Sequence, residues 1–140
     1  MRGVTIRPLS GEEIDAAVAL WHTAGLTRPW NDPVADARKA LAGVTSTILS
    51  AWRDDVLVAT AMTGFDGHRA WVYYLAVAQA ARGQGLGRAL MDAAEVWVKA
   101  AGAPKIQLMV RDNNAAAMGF YTAIGYESQA VTVLGRWLER

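Results

Sequence analysis

Apolar and polar residues alternate along Val4-Thr5-Ile6-Arg7 and the alternation stops at Pro8. A two-residue period puts successive side chains on opposite faces, and proline lacks a ladder donor, so this reads as an edge strand. From Ser10 the period changes. Ser10, followed three residues on by Glu13, forms a capping box, and Ile14, Val18 and Trp21 fall at i, i+4 and i+7. That spacing predicts a helix with one buried face, ended by Gly25; His22, beside the face, reads as a core or boundary histidine. Leu26 to Pro33 cannot continue the helix because Pro29 and Pro33 break it. Asp32 instead caps a second helix that has Pro33 in its first turn. Thr47 to Trp52 and Val56 to Phe65 are rich in β-formers and are joined by Asp54-Asp55. Asp66-Gly67 then leads, past His68 at the tip, into Arg69 to Val77. Two hairpins and three consecutive antiparallel strands follow from this.

The apolar run Trp71 to Val77 leads to Arg82-Gly83-Gln84-Gly85-Leu86-Gly87, after which a helical pattern runs from Arg88 to Ala101. Leu90, Ala94, Trp97 and Val98 make its core face. Arg88, Asp92, Glu95 and Lys99 make a solvated face with opposite-charge pairs one turn apart. Beyond Pro104, Ile106, Leu108 and Val110 alternate with Lys105, Gln107, Met109 and Arg111, as in a half-buried strand. Asp112 or Asn113 can cap a helix ending near Ile124, with Gly125 as its stop. Gln129 to Leu138, β-rich but interrupted by Gly135, is expected to finish the sheet. The order β, α, α, β, β, β, α, β, α, β predicts an α+β fold: a mixed, mostly antiparallel central sheet of about six to seven strands, with about four helices on both faces.

Length adds that residues 1–140 suit a single domain. With 53% hydrophobic and 19% charged residues, the surface is rather apolar or partly covered, which admits a homodimer formed through Gln129 to Leu138. Fourteen basic and thirteen acidic residues leave a net charge of +1 with no long basic run, so nucleic acid is not an expected partner. The absence of cysteine excludes disulfides, an acyl-cysteine intermediate and a cysteine zinc site; no metal site is expected. With no apolar leader and no apolar run long enough to span a bilayer, the expectation is no membrane association and a cytoplasmic location.

The chemistry concentrates in Arg82 to Gly87. Alternating glycines let backbone N–H groups converge on an anion, and a helix N-terminus behind them adds the positive end of its dipole. A purely structural turn is the competing reading. A Walker A loop needs Lys and then Ser or Thr after its last glycine, whereas Arg88-Ala89 follow here. A dinucleotide fingerprint counted from Gly83 or Gly85 meets Arg88 or Leu90 where a small residue belongs. The spacing that does fit is Arg/Gln-x-x-Gly-x-Gly/Ala, in Arg82, Gly85 and Gly87, and in it the chain resembles the GNAT acetyltransferases. Asn114-x-x-Ala117-x-x-x-Tyr121-x-x-x-Gly125-Tyr126 resembles the second signature of that family. Arg28 to Pro33, Asp66 to Arg69, Tyr73 to Leu75 and Pro104 to Gln107 are similar to a bacterial subgroup, the YpeA-type acetyltransferases.

The resemblance implies a GNAT-like acyl-CoA acyltransferase fold and acetyl-CoA as acetyl donor. It assigns the coenzyme A pyrophosphate to the N–H groups of Arg82, Gly83, Gln84, Gly85, Leu86, Gly87 and Arg88, with the Arg82 side chain adding charge or acting structurally. It assigns the pantetheine arm to the backbone of Leu75, Ala76 and Val77. Asn114, with Asn113 as a rival, would hydrogen-bond the same arm, and Tyr121 would donate a proton to the departing thiolate, against a bland role as a core aromatic. The connection holding Trp30, Asn31 and Asp32, with Tyr73, would wall the site of a cationic amine. Many family members carry a glutamate base on the strand before the loop; Ala70 to Val77 has no carboxylate. Tyr73 or Tyr74, Asp32, or Asp66 through water are the alternatives. The expected activity is N-acetylation of a primary amine on a small molecule, amino acid or peptide, by direct attack in a ternary complex; a non-catalytic acyl-CoA-binding or interaction module is the rival.

Overall fold

The structure is a computed structural model that describes residues 3–139. It resolves into two compact units that divide between Met109 and Val110. In the first, β1 (Val4–Pro8), β2 (Ser46–Arg53), β3 (Val56–Phe65), β4 (Ala70–Val77) and β5 (Ile106–Leu108) form one sheet in sequential order. The first four strands are antiparallel, and β5 joins β4 in parallel. The helices are α1 (Ile14–Thr23), α2 (Pro33–Ala42) and α3 (Leu86–Ala100).

Local chemistry explains the turns. Asp54 and Asp55 have φ of 50° and 64°, the left-handed pair that a two-residue hairpin matched to strand twist requires and that Asp tolerates. At the next hairpin the Asp66 carboxylate accepts from the backbone N–H groups of His68 and Arg69, both at 2.8 Å. Ahead of α1 the Glu13 carboxylate accepts from the Ser10 N–H at 2.9 Å and is clamped by two Arg7 nitrogens at 2.9 and 2.7 Å. Arg7 in turn lies over the Trp52 ring.

Thr47 to Ala51 is buried without interruption, which requires both faces of β2 to be covered. Ile48 joins Ile14, Ala17, Leu20 and Trp21 of α1 and Ala37 and Ala40 of α2 in one core. On α3, Leu86, Leu90, Met91, Ala94 and Val98 are buried, and that helix packs on β2, β3 and β4. His22 is exposed, its Nδ1 within 2.9 Å of Thr27 Oγ1; it lies one position past the buried stripe and is neither core nor boundary.

The second unit contains α4 (Ala115–Ala123). Neither Asp112 nor Asn113 is its cap: the Asn114 side chain accepts from Ala117 N at 3.0 Å. Among the described residues the sheet has five strands, fewer than the six to seven expected. Gln129 to Leu138 has no strand structure, because β-propensity alone does not make a ladder without a partner edge. Val131, Val133, Leu134 and Leu138 are 64–90% exposed. β5 is also shorter than its alternation suggested and ends at Leu108.

Candidate functional site

β4 changes character midway. Thr60 pairs with Ala76 and Met62 with Tyr73, so Ala61 alone stands opposite Tyr74 and Leu75. Two residues against one is a β-bulge, which reverses which face later side chains meet. The reversal is visible: Val72 is buried outside the α1–α2 core, while Ala76, of the same parity, belongs to it. β5 pairs only with Ala70, Trp71 and Val72. From Tyr73 to Val77 the side of β4 away from β3 therefore carries no β5 ladder, which leaves the backbone of Leu75, Ala76 and Val77 suited to an extended ligand.

The same strand runs through a short 3-10 turn, Gln79–Ala81, into the glycine loop. Gly83 and Gly85 have φ of 78° and 81°, and Gly85 is the N-cap of α3, with no side chain capping the helix. The first-turn N–H groups at Leu86, Gly87 and Arg88 have no intrahelical acceptor by construction. Ala81 and Leu86 are buried and pin the loop at both ends, while Arg82, Gly83, Gln84, Gly85 and Arg88 are exposed. Arg82 Nε donates to the Val77 carbonyl at 3.3 Å, tying the loop to the end of β4. That is the structural use of Arg82 that the sequence left open.

Between α1 and α2, Arg28 Nη1 folds back onto the carbonyls of Gly25 and Thr27 at 2.8 and 2.9 Å. Trp30 is 54% exposed, and Asn31 and Asp32 are also exposed. Asp32 Oδ1 accepts from Ala35 N at 3.1 Å, the expected cap. One turn later on α2, Asp36 Oδ2 accepts from the Tyr74 hydroxyl at 2.9 Å. Sequence reasoning missed Asp36; its i+4 spacing from Asp32 was the available signal.

These contacts narrow the choice of base. Burial, helped by the bond to Asp36, pushes the Tyr74 phenol well above its usual range, and its proton is already committed to Asp36. Asp66 holds three donors, the third being Trp71 Nε1 at 3.2 Å, and the backbone bonds from Arg69 and His68 lower its pKa. Both are poor proton acceptors. Tyr73 is 46% exposed, and burial followed by the Asp66 charge raises its pKa.

In the second unit, the Tyr121 ring meets Phe120 and Tyr126 edge-on, with centroids 5.0 and 5.9 Å away. Burial pushes its phenol up to about 12, so it stays protonated at neutral pH. Asn114 uses its side-chain oxygen as the cap of α4 and retains its amide N–H groups as donors. Among the described residues no group of three or more His, Cys, Asp or Glu could hold a metal ion, and no helix is long and apolar enough to cross a membrane. An open depression of about 540 Å³ lies along β1 and the β2–β3 turn, lined by Arg7, Glu13, Trp52, Asp54 and Asp55 among others. It contains none of the predicted site residues.

Comparison with known proteins adds four findings. Residues 16–126 match the family model described as Acetyltransferase (GNAT) family. An acetyltransferase of Yersinia pestis (strain Pestoides F) is 37% identical over 133 residues, 95% of this chain and 94% of that protein. Among solved structures, aminoglycoside N-acetyltransferase AAC(6')-Iy in complex with CoA superposes with a TM-score of 0.83 at 17% identity, covering 96% of this chain and 95% of that one. Aminoglycoside 6'-N-acetyltransferase AAC(6')-Ih from Acinetobacter baumannii gives 0.79 at 17% identity, covering 98% and 100%. At that identity the structural likeness establishes the fold.

Proposed function

The chain belongs to the GNAT acetyltransferase family, and from that premise we propose that it is an N-acetyltransferase that moves the acetyl group of acetyl-CoA to a primary amine by direct attack in a ternary complex. The observation that carries this reading is the continuity of β4, the bulge and the loop. A strand edge left without a β5 partner from Tyr73 onward leads directly into a glycine-lined helix N-terminus, so extended polar backbone and an anion site succeed one another along one stretch of chain. An acyl thioester on a long arm ending in a pyrophosphate needs that succession.

In this mechanism the N–H groups of Arg82 to Arg88 hold the pyrophosphate, and the backbone of Leu75, Ala76 and Val77 holds the arm. A strand N–H directed at the thioester oxygen stabilises the developing oxyanion; losing one such donor costs about 10²–10³ in rate in other enzymes. The acceptor's ammonium loses one proton to Asp32 or to water, the free amine nitrogen then bonds to the acyl carbon, and the carbon–sulfur bond breaks as Tyr121 gives its proton to the thiolate. The second nitrogen proton passes to water and a proton from water restores the Tyr121 phenol, while Asn114 donates to the arm through its amide. Trp30, Asn31, Asp32 and Tyr73 form the wall for the acceptor, where an exposed indole beside a carboxylate favours a cation. The acceptor class is a primary amine on a small molecule, amino acid or peptide.

Pairing of two copies through residues 129–138 belongs to the same reading, since their exposed apolar side chains gain by being covered; a monomeric mass by light scattering at working concentration would count against it. The activity is tested by incubating the protein with acetyl-CoA and a panel of amines, including sisomicin and neamine, with release of free thiol as readout. Amine-dependent thiol release is expected, and its absence across the panel would favour a non-catalytic acyl-CoA-binding module.

A further inference from the structure

Tyr74 has φ of +51°, a left-handed conformation in which a bulky residue is an outlier. Three grips hold it there. Thr60 Oγ1 donates to its carbonyl at 2.9 Å. Its ring stacks on Trp21 with centroids 4.0 Å apart and planes 14° from parallel. Its hydroxyl donates to Asp36 Oδ2 at 2.9 Å. Trp21 Nε1 donates to Thr60 Oγ1 at 2.8 Å, so the first two grips interlock, and both of those residues are fully buried.

We propose that Trp21, Thr60 and Asp36 act through Tyr74 as positioning residues for acyl transfer: they fix the bulge and so set the direction of the Leu75–Val77 edge relative to α2. The inference rests on the acyltransferase reading. A bulge needs no tyrosine, since glycine adopts a positive φ without strain. This one is filled by a residue whose ring reaches α1 and whose hydroxyl reaches α2, the helix that begins at Asp32 and Pro33. The grip therefore holds the acyl edge and the acceptor wall in one frame. The Asp36 bond is only partly buried, so orientation is a larger share of its effect than stability.

Three variants test this: Tyr74→Phe, Asp36→Ala, and Asp36→Asn, whose side-chain oxygen still accepts from the phenol. The readouts are amide hydrogen exchange of Leu75–Val77 against that of the β2–β3 hairpin, the Kd for acetyl-CoA, and kcat and KM for the best amine of the panel. Tyr74→Phe and Asp36→Ala should each speed exchange at Leu75–Val77 and lower kcat by about tenfold, the loss expected for one hydrogen bond to a charged group. Hairpin exchange should stay near the parent value, and the acetyl-CoA Kd should rise by less than kcat falls, because the glycine loop that holds the pyrophosphate is untouched. Asp36→Asn should restore most of both losses, and the double variant Tyr74→Phe/Asp36→Ala should be no worse than either single one. Parent-like kcat in both disrupting variants, or an Asn variant as impaired as Ala, overturns the inference while leaving the acyltransferase reading intact. A parent protein that binds no acetyl-CoA removes that reading and the positioning role with it, whatever the exchange rates show.

Discussion

Replacing Gly85 separates the conformation of the loop from its ligand. Gly85 holds φ at +81° and ψ at 13°, and a Cβ built there meets no protein atom within 4 Å. A Cβ at this position is therefore opposed by backbone conformation and by whatever anion occupies the loop, and not by crowding from residues beyond its chain neighbours. For Gly85→Val the left-handed conformation costs roughly 1–2 kcal/mol, a fall in Tm of about 3–10 °C for a chain of this size. Asparagine tolerates that conformation, so Gly85→Asn should stay within a few degrees of the parent. The two variants should nonetheless share a large loss of affinity. Hydrogen bonds to a charged group contribute about 1.5–3 kcal/mol each, and disturbing two of them weakens acetyl-CoA binding by about a hundredfold or more. Calorimetric titration of folded Gly85→Asn, with its thermal midpoint measured alongside, is the assay. Parent-like affinity in a folded Asn or Val variant would refute the assignment of the loop as a phosphate site.

Three further outcomes follow from the same geometry. Tyr121→Phe should lower kcat by about 10²–10³, as expected for loss of a general acid, with acetyl-CoA Kd unchanged; because burial raises the phenol to about 12, no alkaline fall in kcat below pH 11 should trace to Tyr121. Thr60→Val removes the acceptor of Trp21 Nε1 and the donor to the Tyr74 carbonyl at once, and two unsatisfied buried groups predict a loss of about 2–5 kcal/mol by urea titration. The Glu13 carboxyl is lowered from 4.5 to about 2, chiefly by its hydrogen bond to Arg7; a depressed folded-state value means stability present above pH 4.5 and lost as pH falls toward 2. The pair is open to solvent, with side chains 42% and 22% accessible, so Glu13→Gln should flatten the acid limb of Tm against pH only slightly.

What could be read from the chain was set by local chemistry. The capping box at Ser10 and Glu13, the Asp32 cap and the Asp54-Asp55 turn are fixed by residues within three or four positions of one another, and all appear in the structure. The glycine loop was legible for the same reason. Tyr74 and Asp36 were not, because 38 residues separate them and nothing within β4 signals a bulge when Trp71 to Val77 reads as an unbroken apolar run. His22 was misplaced because one step around a helix, about 100°, separates it from the fully buried Trp21. The absent last strand has the opposite cause: Gln129 to Leu138 has the composition of a strand, but a strand exists only where another edge accepts its hydrogen bonds.

The central claim is that the loop and the open edge of β4 bind acetyl-CoA. Calorimetric titration of the purified protein with acetyl-CoA, with ATP and NAD in parallel, tests it most directly. Micromolar binding of acetyl-CoA, with ATP and NAD far weaker, is the predicted result. No binding to a folded protein, or equal binding of ATP or NAD, would contradict it.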